Sequence, residues 1–182
     1  HSVSLQEFDL KANYKYYTAP RVDKEVYLVA AIEDYSKYNL LVGEANIVFE
    51  GLYVGKTYID PNQTYQTLNV TMGNDRKISV KREKITDKSQ TKFISGNREQ
   101  IFTYDIILRN NKKEKAELVL KDQYPISTDK SIEVELLESS KASVDEKTHI
   151  LTWEVSLKPN ETKTFRLSYK VKYPKDRFIG NL

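Results

Sequence analysis

The sequence predicts an all-β protein made of two β-sandwich-like domains, the second immunoglobulin-like. Three observations carry this. Apolar residues recur at every second position through most of the chain, the period of a strand with one buried face. Gly, Pro, Asn and Asp cut these runs into short pieces, as turns between antiparallel strands require. Thirteen Tyr stand against six Gly in 182 residues, an abundance that suits strands, where aromatic rings cover half-buried sheet faces.

From Ser4 to Tyr17 the pattern is irregular but strand-like, with Leu5, Phe8 and Leu10 apolar before Tyr14, Tyr16 and Tyr17. Pro20 stops pairing there, because proline has no N–H to donate. Val26 to Ile32 is apolar on both parities, which fits a central strand covered on both faces. Glu33 to Asn39 reads as a turn or a single helical turn, with Leu40 and Leu41 packing back. From Gly43 to Arg82 the sequence predicts a β-meander. Ile47 and Phe49 lead into Glu50-Gly51, and Leu52 to Val54 lead out, so a tight hairpin is expected with Gly51 at positive φ. Gly55 is expected to end the second strand. Asp60-Pro61-Asn62 and Met72-Gly73-Asn74-Asp75 supply further turns, and Ile78 and Val80 share one face of the next strand.

Glu83 to Gln100 is rich in Lys, Thr, Asp, Ser and Gln and reads as the linker, giving domains of residues 1–88 and 89–182. Beyond it the alternation is cleanest. Tyr104, Ile106 and Leu108, then Ala116, Leu118 and Leu120, predict a hairpin turning at Asn110-Asn111-Lys112. Ile132, Val134 and Leu136 form another strand, and Ser139 to Lys147 a polar connection. Leu151, Trp153, Val155 and Leu157 face one way, followed by a turn at Lys158-Pro159-Asn160-Glu161. Phe165, Leu167, Tyr169, Val171 and Tyr173 then form five successive core positions.

Composition removes several classes of chemistry. Twenty-nine Lys and Arg against 26 Asp and Glu give a net charge of +3, too small and too dispersed to point to nucleic acid. The basic run Arg76 to Lys84 alternates with Ile78 and Val80 and reads as a solvated strand face. The absence of Cys removes disulfides, thiolate metal sites and cysteine nucleophiles. A mean hydropathy of −0.62 with no long apolar run excludes a spanning helix. The chain opens His1-Ser2-Val3 and its one Met is Met72, so it is expected to be a fragment or a mature form whose leader would have been lost.

Leu40 to Ala45, Val48 to Gly55, Met72 to Asp75 and Val80-Lys81-Arg82 follow one another in an order similar to the C-terminal domain of the bacterial mucoidy-inhibitor A family. Tyr16 to Pro20 resembles that family's tyrosine-rich lead-in, Asn110 its end-of-strand Asn, and Asp122-Gln123-Tyr124-Pro125 its Asp-x-x-Pro element. Trp153, Leu157 to Asn160 and Tyr173 to Asp176 resemble its closing strands. Each motif is turn chemistry; their order and spacing carry the likeness over nearly the whole chain. The resemblance implies an exported, periplasmic or envelope-associated protein with an N-terminal β-domain and a long coiled helical segment ahead of this part. Its name comes from an effect on mucoid capsule formation. It brings no catalytic or binding residues to carry over. The lead-in before Tyr14 is short for the family, so an incomplete first strand is expected.

Chemistry beyond turns is sparse. His1 and His149 are the two histidines, too few for a triad or a zinc site, and His149 reads as a strand-start residue. Asp105, Glu117, Glu133, Glu135 and Glu154 fall on solvent faces, so a paired acid and base would need the fold to bend two of them into one cleft. Asp60-Pro61-Asn62 and Gly73-Asn74-Asp75 lack the spaced ligands of a calcium loop. Gly51 and Gly55 lack the helix and the Lys-Ser/Thr pair of a phosphate loop. Asn62, Asn69 and Asn160 stand in glycosylation acceptor patterns, which carry little meaning if the source is bacterial, as the resemblance implies. Tyr14, Tyr16, Tyr17, Tyr35, Tyr38, Tyr53, Tyr58 and Tyr65 either cover a sheet or stack on a ligand.

The resulting expectation is a non-catalytic structural or protein-interaction module with no cofactor and no metal. Its partner would be its own missing N-terminal region or another envelope protein. The alternative is a glycan-binding module using the first-half tyrosines, with a polysaccharide as partner. An exposed tyrosine row in a groove would favour the second, an apolar patch or unguarded edge strand the first, and a pocket of converging carboxylates an enzyme.

Overall fold

A computed structural model of the chain describes residues 7–49, 51–60, 67–88, 91–94 and 96–177. Among these it is all-β, with thirteen strands and two single turns of 3-10 helix. The chain forms two compact units, His1–Tyr17 with Tyr27–Asp75, and Thr18–Val26 with Arg76–Leu182. These differ from the 1–88 and 89–182 division expected from composition. The reason lies in pairing: the strand at Ile78–Lys84 hydrogen-bonds along its whole length to a strand of the second unit, so it travels with that unit.

In the first unit, β1 (Asn13–Ala19) and β2 (Asp23–Glu33) contribute their outer lengths, and β5 (Thr67–Asn74) pairs antiparallel with β2. The ribbon of β3 (Gly43–Phe49) and β4 (Leu52–Ile59) forms a separate two-stranded sheet. Ala30, Ile32, Tyr35, Leu40 and Val70 make the core, and Ile47 and Ile59 of the ribbon pack on it with Phe8, Leu10 and Ala12. β2 is an interior strand, as expected, and the single turn after it is a 3-10 turn at Tyr35–Tyr38. Leu40 packs back into the core, whereas Leu41 is exposed.

The predicted meander is corrected here. The β3–β4 hairpin forms, with Phe49 opposite Leu52 and Gly51 at φ 76°, but β5 turns away to pair with β2 and the next strand leaves for the other unit. Gly55 does not end β4; it sits mid-strand opposite Ile47, next to a bulge. Gly73 likewise serves a bulge, not a turn: at φ 116° it faces Leu28 while Thr71 faces Val29, which leaves Met72 as the extra residue. Leu5, Glu50, Pro61, Asn62 and Tyr65 lie outside the described residues.

The second unit has two facing sheets. One orders β10 (Glu133–Glu138), β13 (Thr162–Pro174), β8 (Asn97–Asn110) and β6 (Ile78–Lys84), with β7 (Thr91–Ile94) also paired to β8. The other runs β11 (Ser143–Asp145), β12 (Ile150–Leu157) and β9 (Ala116–Gln123), and beside β9 lies the closed end of the β1–β2 hairpin, Thr18–Val26. Thr18 Oγ1 donates to the Glu25 carbonyl at 2.9 Å to hold that end shut. The chain crosses between sheets at β8–β9, β9–β10, β10–β11 and β12–β13, the connectivity of an immunoglobulin-like sandwich.

Leu151, Trp153, Val155 and Leu157 are all buried against Leu167, Tyr169, Val171 and Tyr173, as the alternation predicts, and Phe165 is half-buried. Three expectations fail. Glu83 to Gln100 is not a linker, because β7 folds back on β8 there. The polar stretch from Ser139 to Lys147 contains β11. Most instructively, β8 and β9 are not a hairpin. They lie in opposite sheets, with Ile106 and Leu108 of one and Leu118 and Leu120 of the other essentially free of solvent. Asn110 makes this crossing. Its amide donates to the carbonyls of Glu114, Lys158 and Leu157 at 2.8, 3.1 and 3.3 Å, and its oxygen accepts from the Lys112 N–H at 2.9 Å.

Candidate interaction surface

The β3–β4 ribbon alternates as a strand pair should: Ala45, Ile47 and Ile59 point to the core, and Glu44, Asn46, Lys56 and Tyr58 away from it. Toward the tip the outer face turns apolar. Val48 is opposite Tyr53 on that face, 64 and 62% exposed, and Leu52, opposite Phe49 on the other face at the tip, is 71% exposed. Apolar area left in water forgoes about 25 cal/mol per Å² that burial would gain, so a cluster of such side chains at a hairpin end invites a partner. Midway, Lys56 Nζ pairs with Glu44 at 2.5 Å. Phe49, half-buried, touches the exposed ring of Tyr14 at 5.4 Å between centroids. Phe49 and Tyr14 thus meet on the inner face of the ribbon, while Val48, Tyr53 and the Glu44–Lys56 pair occupy its outer face.

The tyrosines of the first half divide. Tyr35 is in the core; Tyr16 is buried with its hydroxyl donating to Asp75 at 2.9 Å; Tyr38 packs edge-on against Phe8. Tyr14, Tyr17, Tyr53 and Tyr58 are exposed. A small polar cavity of about 210 Å³ lies elsewhere on this unit, lined by Lys11, Asn13, Glu33, Asp34, Lys37 and Tyr38. Of the rings named at the sequence level, Tyr38 alone lines it. Its carboxylates are engaged, Glu33 by the Asn13 amide at 3.1 Å and Asp34 by Lys37 at 2.5 Å.

The residues weighed for catalysis are dispersed. His149 stacks on Tyr124 at 4.1 Å, and its Nδ1–H donates to the Pro125 carbonyl at 2.7 Å; its φ of 55° marks it as a turn residue. Asp105 is gripped by both arms of Arg166 at 2.7 Å, and those hydrogen bonds, against the opposing effect of burial, hold its carboxyl below the ordinary value. Glu117, Glu133 and Glu135 pair with Lys115, Lys172 and Lys170 at 2.6, 3.1 and 2.5 Å, and Glu154 is exposed on β12. No two of the five meet in a cleft. Among the described residues no group of three or more His, Asp or Glu is placed to hold a metal ion, and no helix is long and apolar enough to cross a membrane.

In the second unit the basic run is partly neutralised. Arg82 Nε donates to Asp122 at 2.7 Å with its guanidinium 3.7 Å above the Tyr104 ring, and Lys81 pairs with Glu83 at 2.5 Å. Beneath Arg82, Tyr104 stacks on Tyr169 in the core and Tyr124 leans against it, and burial, reinforced by Tyr104, pushes the Tyr169 phenol well up. The sequence pattern hid the hairpin tip, because alternation marks Val48 and Tyr53 as strand residues without saying what covers them. The consecutive apolar run Leu52-Tyr53-Val54, which puts an apolar side chain on both faces, is the available signal.

Fold and surface together define a class: an all-β, sandwich-like module with an apolar hairpin held outward. The chain belongs to the family described as domain of unknown function DUF4139, whose model matches residues 6–175. Protein F37C4.5 of Caenorhabditis elegans is 25% identical over 187 residues, covering 96% of this chain and 34% of that protein. The chain therefore spans about a third of the length of this curated relative, which is an animal protein. The NMR structure of the folded domain of LppM from Mycobacterium tuberculosis aligns over 96% of this chain and 98% of that one at 11% identity, with a TM-score of 0.23.

Proposed function

We propose that the chain is a non-catalytic protein-interaction module of an exported envelope protein of the mucoidy-inhibitor type. The observation that carries this is the β3–β4 hairpin, which extends Val48, Leu52 and Tyr53 into solvent from a two-stranded ribbon. Such a patch contributes to binding when a partner covers it. The partner in this reading is another part of the same polypeptide or another envelope protein. Export and the bacterial envelope rest on the order of sequence motifs. The large share of the nematode relative outside the matched length leaves room for a partner in the same polypeptide.

A second reading, glycan recognition, is favoured by the exposure of Tyr14, Tyr17, Tyr53 and Tyr58, since open rings stack on sugar faces. One experiment separates the two. Tagged chain is used to capture proteins from an envelope extract and, in parallel, applied to a glycan array. Capture of a defined protein, lost in a Leu52→Ser/Tyr53→Ser variant, with a silent array supports the interaction module. Reproducible binding to one polysaccharide class, lost in Tyr14→Ala and Tyr58→Ala variants, overturns it.

A further inference from the structure

Sheet edges that stay monomeric are guarded by short length, charge or a bulge, and in this protein the outer strands differ sharply in that respect. β11 is three residues long. β7 is four and carries Lys92. β6 carries Lys81, Arg82, Glu83 and Lys84 in succession. β10 carries Glu133, Glu135 and Glu138 with an irregularity before Glu138. β5 has the bulge at Met72. Within the ribbon, β4 is the strand that approaches β5, and it takes the bulge, Val54 being extra between Gly55 opposite Ile47 and Tyr53 opposite Val48. β3 has none of these devices: seven residues, Gly43–Phe49, regular, without Lys, Arg or Pro and with Glu44 as its one charge. Among the described residues no strand pairs with its second side.

Charge says what kind of strand belongs there. The first unit carries four Lys and no Arg against eight Asp and Glu, a formal charge of −4, although the whole chain is +3. A second copy pairing β3 to β3 would bring two such units together, like charge against like. A basic segment would instead be drawn to this acidic unit, its cations lying on the outer face beside Glu44, which already pairs with Lys56 across the ribbon, and its apolar residues beside Ala45 and Ile47 on the inner one, in the period of two that strand addition demands. We infer that β3 is an acceptor edge for an extended basic segment of another chain, with alternating cationic and apolar side chains, bound by main-chain hydrogen bonding. This rests on the interaction-module reading and specifies how it works.

The test titrates the full chain with a labelled peptide of alternating Lys and Val, following fluorescence anisotropy. Two control peptides accompany it, one of alternating Glu and Val, and one of the Lys–Val sequence N-methylated at alternate amides so that it cannot complete a ladder. The expected result is saturable binding of the Lys–Val peptide that weakens with salt, and at least about tenfold weaker binding of both controls. Val48→Lys, an exposed change that puts a guarding cation on β3, should weaken it by a similar factor. Equal binding of the N-methylated peptide overturns strand addition, and equal binding of the Glu–Val peptide overturns the charge argument. No peptide binding overturns the inference, as does a dimer in sedimentation that Val48→Lys abolishes. If Leu52→Ser/Tyr53→Ser still removes capture from the extract while no peptide binds, the interaction module stands and this mode of binding falls.

Discussion

Asn110 offers the sharpest test of how the second unit is built. Its side chain is wholly buried at the point where the chain leaves one sheet for the other, and four hydrogen bonds converge on it. Replacing it with Ala removes all four bonds, among them the buried one that the Leu157 carbonyl accepts in addition to its pairing with Ala116, at a cost of about 1–3 kcal/mol. The Lys112 N–H and the carbonyls of Glu114 and Lys158 lie nearer the surface and recover water. With the packing lost around the missing amide, the total is about 3–4 kcal/mol. For a chain of this size that lowers the midpoint of thermal unfolding by roughly 6–16 °C. Asn110→Asp separates shape from chemistry. It fits the same space but turns a carboxylate toward three carbonyl oxygens, so its folded pKa must rise. The variant is then least damaged below the ordinary carboxylate pKa of about 4 and loses stability as pH climbs above it. Differential scanning calorimetry from pH 3 to 8 reads both effects. A loss under about 1 kcal/mol for Asn110→Ala, or an Asn110→Asp variant as stable as the parent at pH 7, would refute the reasoning.

Two further predictions concern the same core. Trp153→Ala and Leu167→Ala each remove a buried side chain from facing sheets, and Trp153 also gives up its indole hydrogen bond to the Ser139 carbonyl at 2.9 Å. Urea titration should show losses of about 3–5 and 2–5 kcal/mol; unchanged midpoints would mean that these faces are not the core. Burial raises the Tyr169 and Tyr124 phenols above their ordinary value of 10.0. Their neutral forms thus contribute stability that is complete below pH 10 and is lost as pH rises from there toward the folded values. Chemical denaturation between pH 9 and 11.5 should show stability falling, less steeply in Tyr169→Phe, and an identical slope in that variant would contradict the assignment.

Much of the fold could be read from periodicity because burial and alternation are the same fact in a strand. Spacing alone places the alternate residues of Leu151 to Leu157 and Leu167 to Tyr173 inward, and inward they are. Pairing was not legible. Alternation says that Ile106 and Leu118 both face inward, which holds equally for neighbours in one sheet and for opposed strands in two. The connection at Asn110 decides between them through hydrogen bonds to residues far along the chain, at Leu157 and Lys158. Gly55 and Gly73 misled for a related reason, since a glycine that relieves a bulge looks in sequence like one that makes a turn. The candidate surface was half legible. The hairpin around Gly51 was expected, but whether Val48 and Tyr53 are covered depends on elements distant in sequence, and no local pattern encodes that.

The central claim is that this module works through the β3–β4 hairpin. Hydrogen–deuterium exchange on the full chain, with and without the protein it captures, tests this most directly, because strand addition and side-chain docking both slow exchange where they occur. Protection concentrated in Gly43–Phe49 and Leu52–Ile59, with the second unit unchanged, is the predicted result. Protection confined to the strands of the second unit, with these segments exchanging as in the free chain, would contradict it.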